Sequence, residues 1–340
     1  MQYYGTLGPA CADVETLKRM FDAGMTGVRL NLSHGGLDMH GEWLELLNEA
    51  AGQCKKKPQL LIDLQGPELR LGRLEEPFDA EVGSRVIFGG NGLAAPAMFL
   101  EYAEVGDHIL LDDGKLEFLV EGSEKDAETD AESRPILRTC VLRGGTVKSG
   151  KSLAIIGKEV PMPTLTEQDV CNIRLASQYG VTGVMLPFVR SKEDLLTLRN
   201  ALREAGASDV EIFAKIENLR GAESLSELLP HCDQVVIARG DLGNAMPLWK
   251  LPGVQKTIAR QCVKASKPFM VVTQMLDSMH TQAVPTRAEV LDIYNAVLDG
   301  AESVMLTGET AVGSYPVEAI TYLVKTAQEA EAARSCSSLL

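Results

Sequence analysis

In the stretch Gln234–Gly243, QVVIARGDLG, an apolar run gives way abruptly to Arg239, Gly240 and Asp241. Val235–Ala238 reads as a short buried strand, so a cation, a glycine and a carboxylate stand where it ends. Upstream, EIFAKIEN (211–218) repeats the arrangement with Lys215 and Glu217. Two strands that follow one another thus finish in carboxylates, one with an ammonium two residues before it. Divalent cations that accompany phosphates are usually held by one or two carboxylates plus the phosphate itself. Further strand-like runs end in the same way. GVRLNL carries Arg29 and Asn31 and leads to Ser33; QLLIDL carries Asp63; PFMVVTQ carries Thr273; SVMLTGE carries Thr307 and Glu309. Any one of these reads most simply as a cap or an ion-pair partner, but so many at equivalent strand ends point to a shared site.

The elements that must hold these residues follow one rhythm. Gln2–Leu7, Gly27–Leu32 and Gln59–Leu64 read as strands, with helices from Asp13 to Gly24 and over Asp38–Cys54 between them. After the insertion, strands are predicted at 183–189, 211–217, 234–240, 268–274 and 303–309. Helices fall between these strands: Thr166 and Ser191 are caps, one helix starts near Gly221, and another spans Val254–Ala265. Thr286–Glu289 forms a capping box, and Pro316 opens the last helix. From about Leu71 to Ser152 the pattern changes to short alternating runs separated by Gly-rich turns, with Glu121–Arg134 read as a polar hairpin loop.

Eight strands, each followed by a helix, and near-continuous apolar strands buried on both faces favour a (β/α)8 TIM barrel with an inserted small β-barrel domain. An open doubly wound sheet is the alternative, because strand order is not visible in sequence. The division is 1–70 and 153–335 for the barrel, 71–152 for the inserted lid and 336–340 for a tail.

Across 340 residues, 45% are hydrophobic and 24% charged, ordinary values for a globular enzyme. The formal charge of −14 argues against non-specific binding to nucleic acid or an anionic membrane. Seven cysteines without a Cys-x-x-Cys pair suggest reduced thiols and a cytoplasmic location. No apolar run approaches the length of a membrane span.

Taken together and in order, TLGPA (6–10), GVRLNLSHG (27–35), LIDLQGPELR (61–70), AKIEN (214–218), ARGDLG (238–243), KPFMVVTQMLDSM (267–279), PTRAE (285–289) and NAVLDGAESVMLTGETAVGSYP (295–316) resemble the pyruvate kinase family. The resemblance spans nearly all of 5–335 and is weakest in the insertion. It implies phosphoryl transfer from phosphoenolpyruvate to ADP, giving pyruvate and ATP in glycolysis. It assigns Glu217 and Asp241 to Mg2+ or Mn2+, and Lys215 to the moving phosphoryl group and the enolate. Thr273 would contact the substrate and deliver a proton, Arg29 would clamp the phosphate, and Gly240 with Asp241 would receive the substrate carboxylate. Asn31, His34, Arg70 and Lys151 would face the nucleotide. Asn31, Ser33, Asp63 and Leu64 would hold K+, and Glu68 follows the pattern of potassium-dependent members. Equal activity with and without K+ at matched ionic strength would remove that expectation.

Three departures qualify the resemblance. The insertion ends in KSLAIIGKEVPMP, which leaves the register of Lys151 open; Val312 stands where lysine is usual; and the chain stops just past the eighth helix. The last feature implies no C-terminal regulatory domain, no sugar-phosphate activation, and an assembly smaller than a tetramer, such as a homodimer. Two rivals remain: a catalytically weak protein that binds phosphoenolpyruvate or nucleotide, and a metal-dependent lyase acting beside a pyruvate enolate. The insertion and Arg70 weigh against the lyase.

Overall fold

Alternation along the apolar runs decides which side chains meet at the centre of the molecule. The computed structural model describes residues 1–112, 114–125, 135–158 and 160–337, leaving out the side chains of His34, Lys125, Cys336 and Ser337. Eight parallel strands form a closed ring: β1 (Gln2–Leu7), β2 (Gly27–Asn31), β3 (Gln59–Asp63), β4 (Gly183–Leu186), β5 (Glu211–Ile216), β6 (Gln234–Ala238), β7 (Phe269–Val272) and β8 (Ser303–Met305). Each pairs with its neighbours in the chain, and β8 returns to β1 with Gln2 opposite Ser303. Closure excludes the open doubly wound sheet.

Tyr4, Leu61, Met185, Phe213, Val236, Met270 and Met305 pack together as one buried cluster. A separate apolar cluster joins the strands to the surrounding helices. Two glycines make the inner cluster possible. A Cβ at Gly27 would lie 2.6 Å from the Tyr4 ring, and one at Gly183 would lie 2.6 Å from both Leu61 and Phe213. Since side chains two apart share a face of a strand, Asp63 follows Leu61 onto the inner face. Lys215 follows Phe213 there, and Arg29 and Asn31 follow Gly27. Strand periodicity thus builds an apolar floor and a polar rim.

The helix starts follow their local chemistry. The Asp13 carboxylate accepts from Thr16 N–H, and Thr166, Ser191 and Thr286 each complete a capping box. The helix near Gly221 is instead two short ones, Leu219–Glu223 and Leu225–Leu228. The first is placed by the Asn218 side chain, which accepts from Gly221 N–H at 2.7 Å. The run 268–274 stops pairing at Val272, because Thr273 and Gln274 turn to positive φ.

The chain divides into two compact units, Met1–Gly66 with Thr164–Leu340, and Pro67–Pro163. Among the described residues, the second unit is not a barrel. It has a five-stranded antiparallel sheet and a separate two-stranded sheet, Phe78–Ala80 with Gly145–Val147. The edges of the larger sheet are Arg85–Phe88 and Leu153–Ile155, strands of four and three residues, and they do not pair with each other. Its core includes Phe88 and Phe118, edge to face with centroids 5.3 Å apart. Strand Leu116–Lys125 takes in 121–125 of the predicted loop, paired antiparallel with Pro135–Arg143. Cross-strand pairing satisfies that polar backbone; the rest of the predicted loop, 126–134, lies outside the described residues.

Candidate active site

At the C-terminal ends of β2, β3 and β5 a buried charge cluster forms. Lys215 Nζ donates to Asp63 Oδ1 at 3.0 Å and Oδ2 at 3.2 Å, and pairs with Glu217 Oε1 at 2.9 Å. Arg29 donates to Asp63 Oδ2 from Nε at 2.9 Å and Nη2 at 2.7 Å. The side chains of Lys215 and Arg29 are each 13% exposed, and those of Asp63 and Glu217 only 3% and 2%. Two cations and two carboxylates are thus sequestered together, an arrangement tolerable only because each charge has close partners.

The cluster fixes protonation. Burial opposes the Lys215 ammonium, but Asp63 and Glu217 outweigh it and raise its pKa well above the usual lysine value. Burial pushes the Asp63 carboxyl up, yet Lys215 and Arg29 hold it below the usual carboxylate range. Glu217 behaves oppositely: burial raises its pKa, Lys215 lowers it, and the negative charges of Asp241 and Asp63 add to the rise. Glu217 is therefore a carboxylate whose ionised form needs more positive charge than the protein provides. A divalent cation would supply that charge, and Glu217 with the solvent-facing Asp241 offers the carboxylate oxygens such an ion takes. The residues present fit such an ion.

Phe188 completes the setting of Glu217. Its N–H donates to Glu217 Oε2 at 2.8 Å, with φ of 54°. A left-handed conformation at a non-glycine residue costs about 1–2 kcal/mol and is a common mark of functional backbone. No sequence signal marks Phe188, and residue reasoning missed it. It also missed the full role of Arg239, which as a lone cation at a strand end reads most simply as an ion-pair partner. Arg239 does pair with Asp292 at 2.6 Å, but Nε and Nη2 also donate to the Thr273 carbonyl at 3.1 and 2.6 Å.

The remaining residues are distributed as follows. β6 passes directly into a helix at Arg239, so the N–H groups of Gly240 and Asp241 lie in a first turn without intrahelical acceptors. Thr273 is half-buried and packs beside Gly240. Asn31 lies opposite Asp63 in register, and its side-chain oxygen accepts from Ser33 N–H at 3.3 Å. Leu64 is buried, its N–H donating to Met185 O at 3.1 Å. His34 lies in the turn after β2, and its side chain is outside the described residues. In the inserted unit, Arg70 donates to Glu68 Oε1 at 2.9 Å and to Gly150 O at 2.8 Å. Lys151 pairs with Asp112 at 2.9 Å. The structure therefore brings together Arg29, Asp63, Lys215 and Glu217, with Asp241 near enough to act on Glu217; Arg70 and Lys151 belong to the other unit. Val312 is 64% exposed.

A family model described as the pyruvate kinase barrel domain matches residues 2–320. Pyruvate kinase of Bacillus licheniformis is 37% identical, the match covering 98% of this chain and 58% of that protein. Pyruvate kinase of Geobacillus stearothermophilus is 36% identical, covering 96% of this chain and 56% of that one. That of Staphylococcus aureus (strain USA300) is 36% identical over 98% and 57%. The chain spans little more than half the length of the curated relatives it matches.

Proposed function

The chain belongs to the pyruvate kinase family, and from that premise we propose that it transfers the phosphoryl group of phosphoenolpyruvate to ADP. The observation that carries this reading is the buried Lys215 ammonium wedged between Asp63 and Glu217. Because its pKa is raised, Lys215 stays charged throughout the neutral range and serves as a fixed cation, not as a proton donor. That suits a reaction in which the bond from phosphorus to the enol oxygen breaks while ADP supplies the new oxygen. Little covalent work falls to the protein in such a transfer, and catalysis is mainly positioning and charge stabilisation. Lys215 offsets negative charge on the phosphoryl group and on the enolate oxygen. Arg29, oriented by Asp63, faces the phosphate. The enolate then takes a proton at carbon to become pyruvate, and Thr273 is the residue assigned to that side of the reaction.

Glu217 and Asp241 would hold Mg2+ or Mn2+, which supplies further positive charge to substrate oxygens when bound. Gly240 and Asp241 present first-turn N–H groups to the substrate carboxylate. For K+, Asn31 and Ser33 supply oxygens, Leu64 its carbonyl, and Asp63 Oδ1, which has a single donor from Lys215, retains acceptor capacity. Asn31, His34, Arg70 and Lys151 are assigned to ADP and ATP; for Arg70 and Lys151 this requires exchanging Glu68 and Asp112 for phosphate. The free thiols Cys11, Cys54, Cys140, Cys171, Cys232 and Cys262 support a cytoplasmic setting. Among the described residues no helix is long and apolar enough to cross a membrane.

The test is to mix the protein with phosphoenolpyruvate, ADP, Mg2+ and K+ and measure pyruvate. ADP-dependent pyruvate with ATP supports the proposal. Binding of phosphoenolpyruvate without turnover favours a sensing role, and cleavage or condensation independent of ADP favours a lyase.

A further inference from the structure

Thr273 and Gln274 have φ of 76° and 54°, two consecutive non-glycine residues in the left-handed region. A β-branched residue enters that region only where its surroundings impose it. Two neighbours bear on it here, both from the start of the helix after β6. Arg239 donates from Nε and Nη2 to the Thr273 carbonyl at 3.1 and 2.6 Å, and Nε lies 3.3 Å from the Val272 carbonyl. Its Nη1 donates to Asp292 Oδ2 at 2.6 Å, so helix Arg287–Leu298 orients the guanidinium from its other edge. The side chain is only 12% exposed, which limits competition from water. Gly240 makes room: a Cβ there would lie 3.1 Å from Thr273 Cγ2.

We propose that Arg239 is a positioning residue, holding the Thr273–Gln274 backbone in its left-handed conformation through the Thr273 carbonyl. Lysine cannot replace the planar fork that reaches the carbonyl and Asp292 together. The inference rests on the proposed assignment of Thr273 to the substrate.

Arg239→Met keeps the apolar stem and removes the donors. It is expected to lower kcat about tenfold or more while leaving the KM for phosphoenolpyruvate nearly unchanged. Adding Gln274→Gly, which removes the penalty for positive φ at one of the two residues, is expected to recover part of kcat. Arg239→Lys should not. Amide hydrogen exchange over residues 273–276 provides a readout independent of turnover, expected to accelerate about tenfold or more in Arg239→Met. If Arg239→Met does not fold, Asp292→Asn replaces it, with a smaller change of the same kind. An active wild-type protein with neither exchange nor kcat altered overturns the inference, as does a lost kcat that Gln274→Gly leaves unrecovered. An inactive wild-type protein whose exchange still responds overturns the phosphoryl-transfer reading and leaves the clamp standing.

Discussion

Lys215 owes its place to alternation along β5, which puts it above Phe213 on the inner face, and its charge to the carboxylates on either side. Asp63 joins Lys215 to Arg29, so its loss would leave two buried cations short of a partner. Asp63→Asn is therefore expected to cost about 3–5 kcal/mol at neutral pH. The sign of its pH dependence follows from the lowered pKa. Asp63 contributes stability above the unfolded aspartate value of about 3.9, and that contribution is lost as pH falls through the lower folded value. Urea unfolding at a series of pH values should show the gap between wild type and Asp63→Asn shrinking below about pH 4. A gap constant down to acid unfolding contradicts the assignment. Glu217 has the opposite sign: its raised pKa makes ionisation unfavourable to the fold above about 4.3. Added Mn2+ should relieve this, raising the Tm of wild type but not of Glu217→Gln. An equal rise in both proteins would place the ion elsewhere.

At the scale of elements, caps and turns connect the barrel to its rim. Thr286 and Glu289 form a capping box, and the Glu289 carboxylate also accepts from Ser278 N–H at 2.7 Å and Ser278 Oγ at 2.6 Å. One cap therefore also fixes the loop after β7. Thr286→Ala should lower stability by about 1 kcal/mol, as an ordinary cap does. Glu289→Ala should cost more, because it also strips the acceptor from Ser278. Thermal unfolding of the two variants checks the order, and equal losses would contradict it. The capping box was legible in the sequence because its residues are local. The left-handed turn at Thr273 was not, since threonine gives no local reason to leave the strand and the Arg239 fork comes from another element. Phe188 was hidden for the same reason, its partner Glu217 lying beyond a helix and the next strand.

For the whole molecule, eight apolar runs alternating with helices made the barrel legible, and closure settled the strand order the sequence left open. Pairing of short edge strands across the inserted unit is non-local, and among the described residues the expected second barrel is two separate sheets. The charge cluster could be read as carboxylates and cations at strand ends, but not that Asp63 is already shared by Lys215 and Arg29. The proposed phosphoryl transfer depends on Lys215 acting as a fixed charge. The most direct measurement follows pyruvate and ATP together, in one vessel containing phosphoenolpyruvate, ADP, Mg2+ and K+, for wild type and Lys215→Met. Equimolar products are expected from wild type, and a rate lower by about 100-fold or more in the variant. Unequal products, or a variant as fast as wild type, would contradict it.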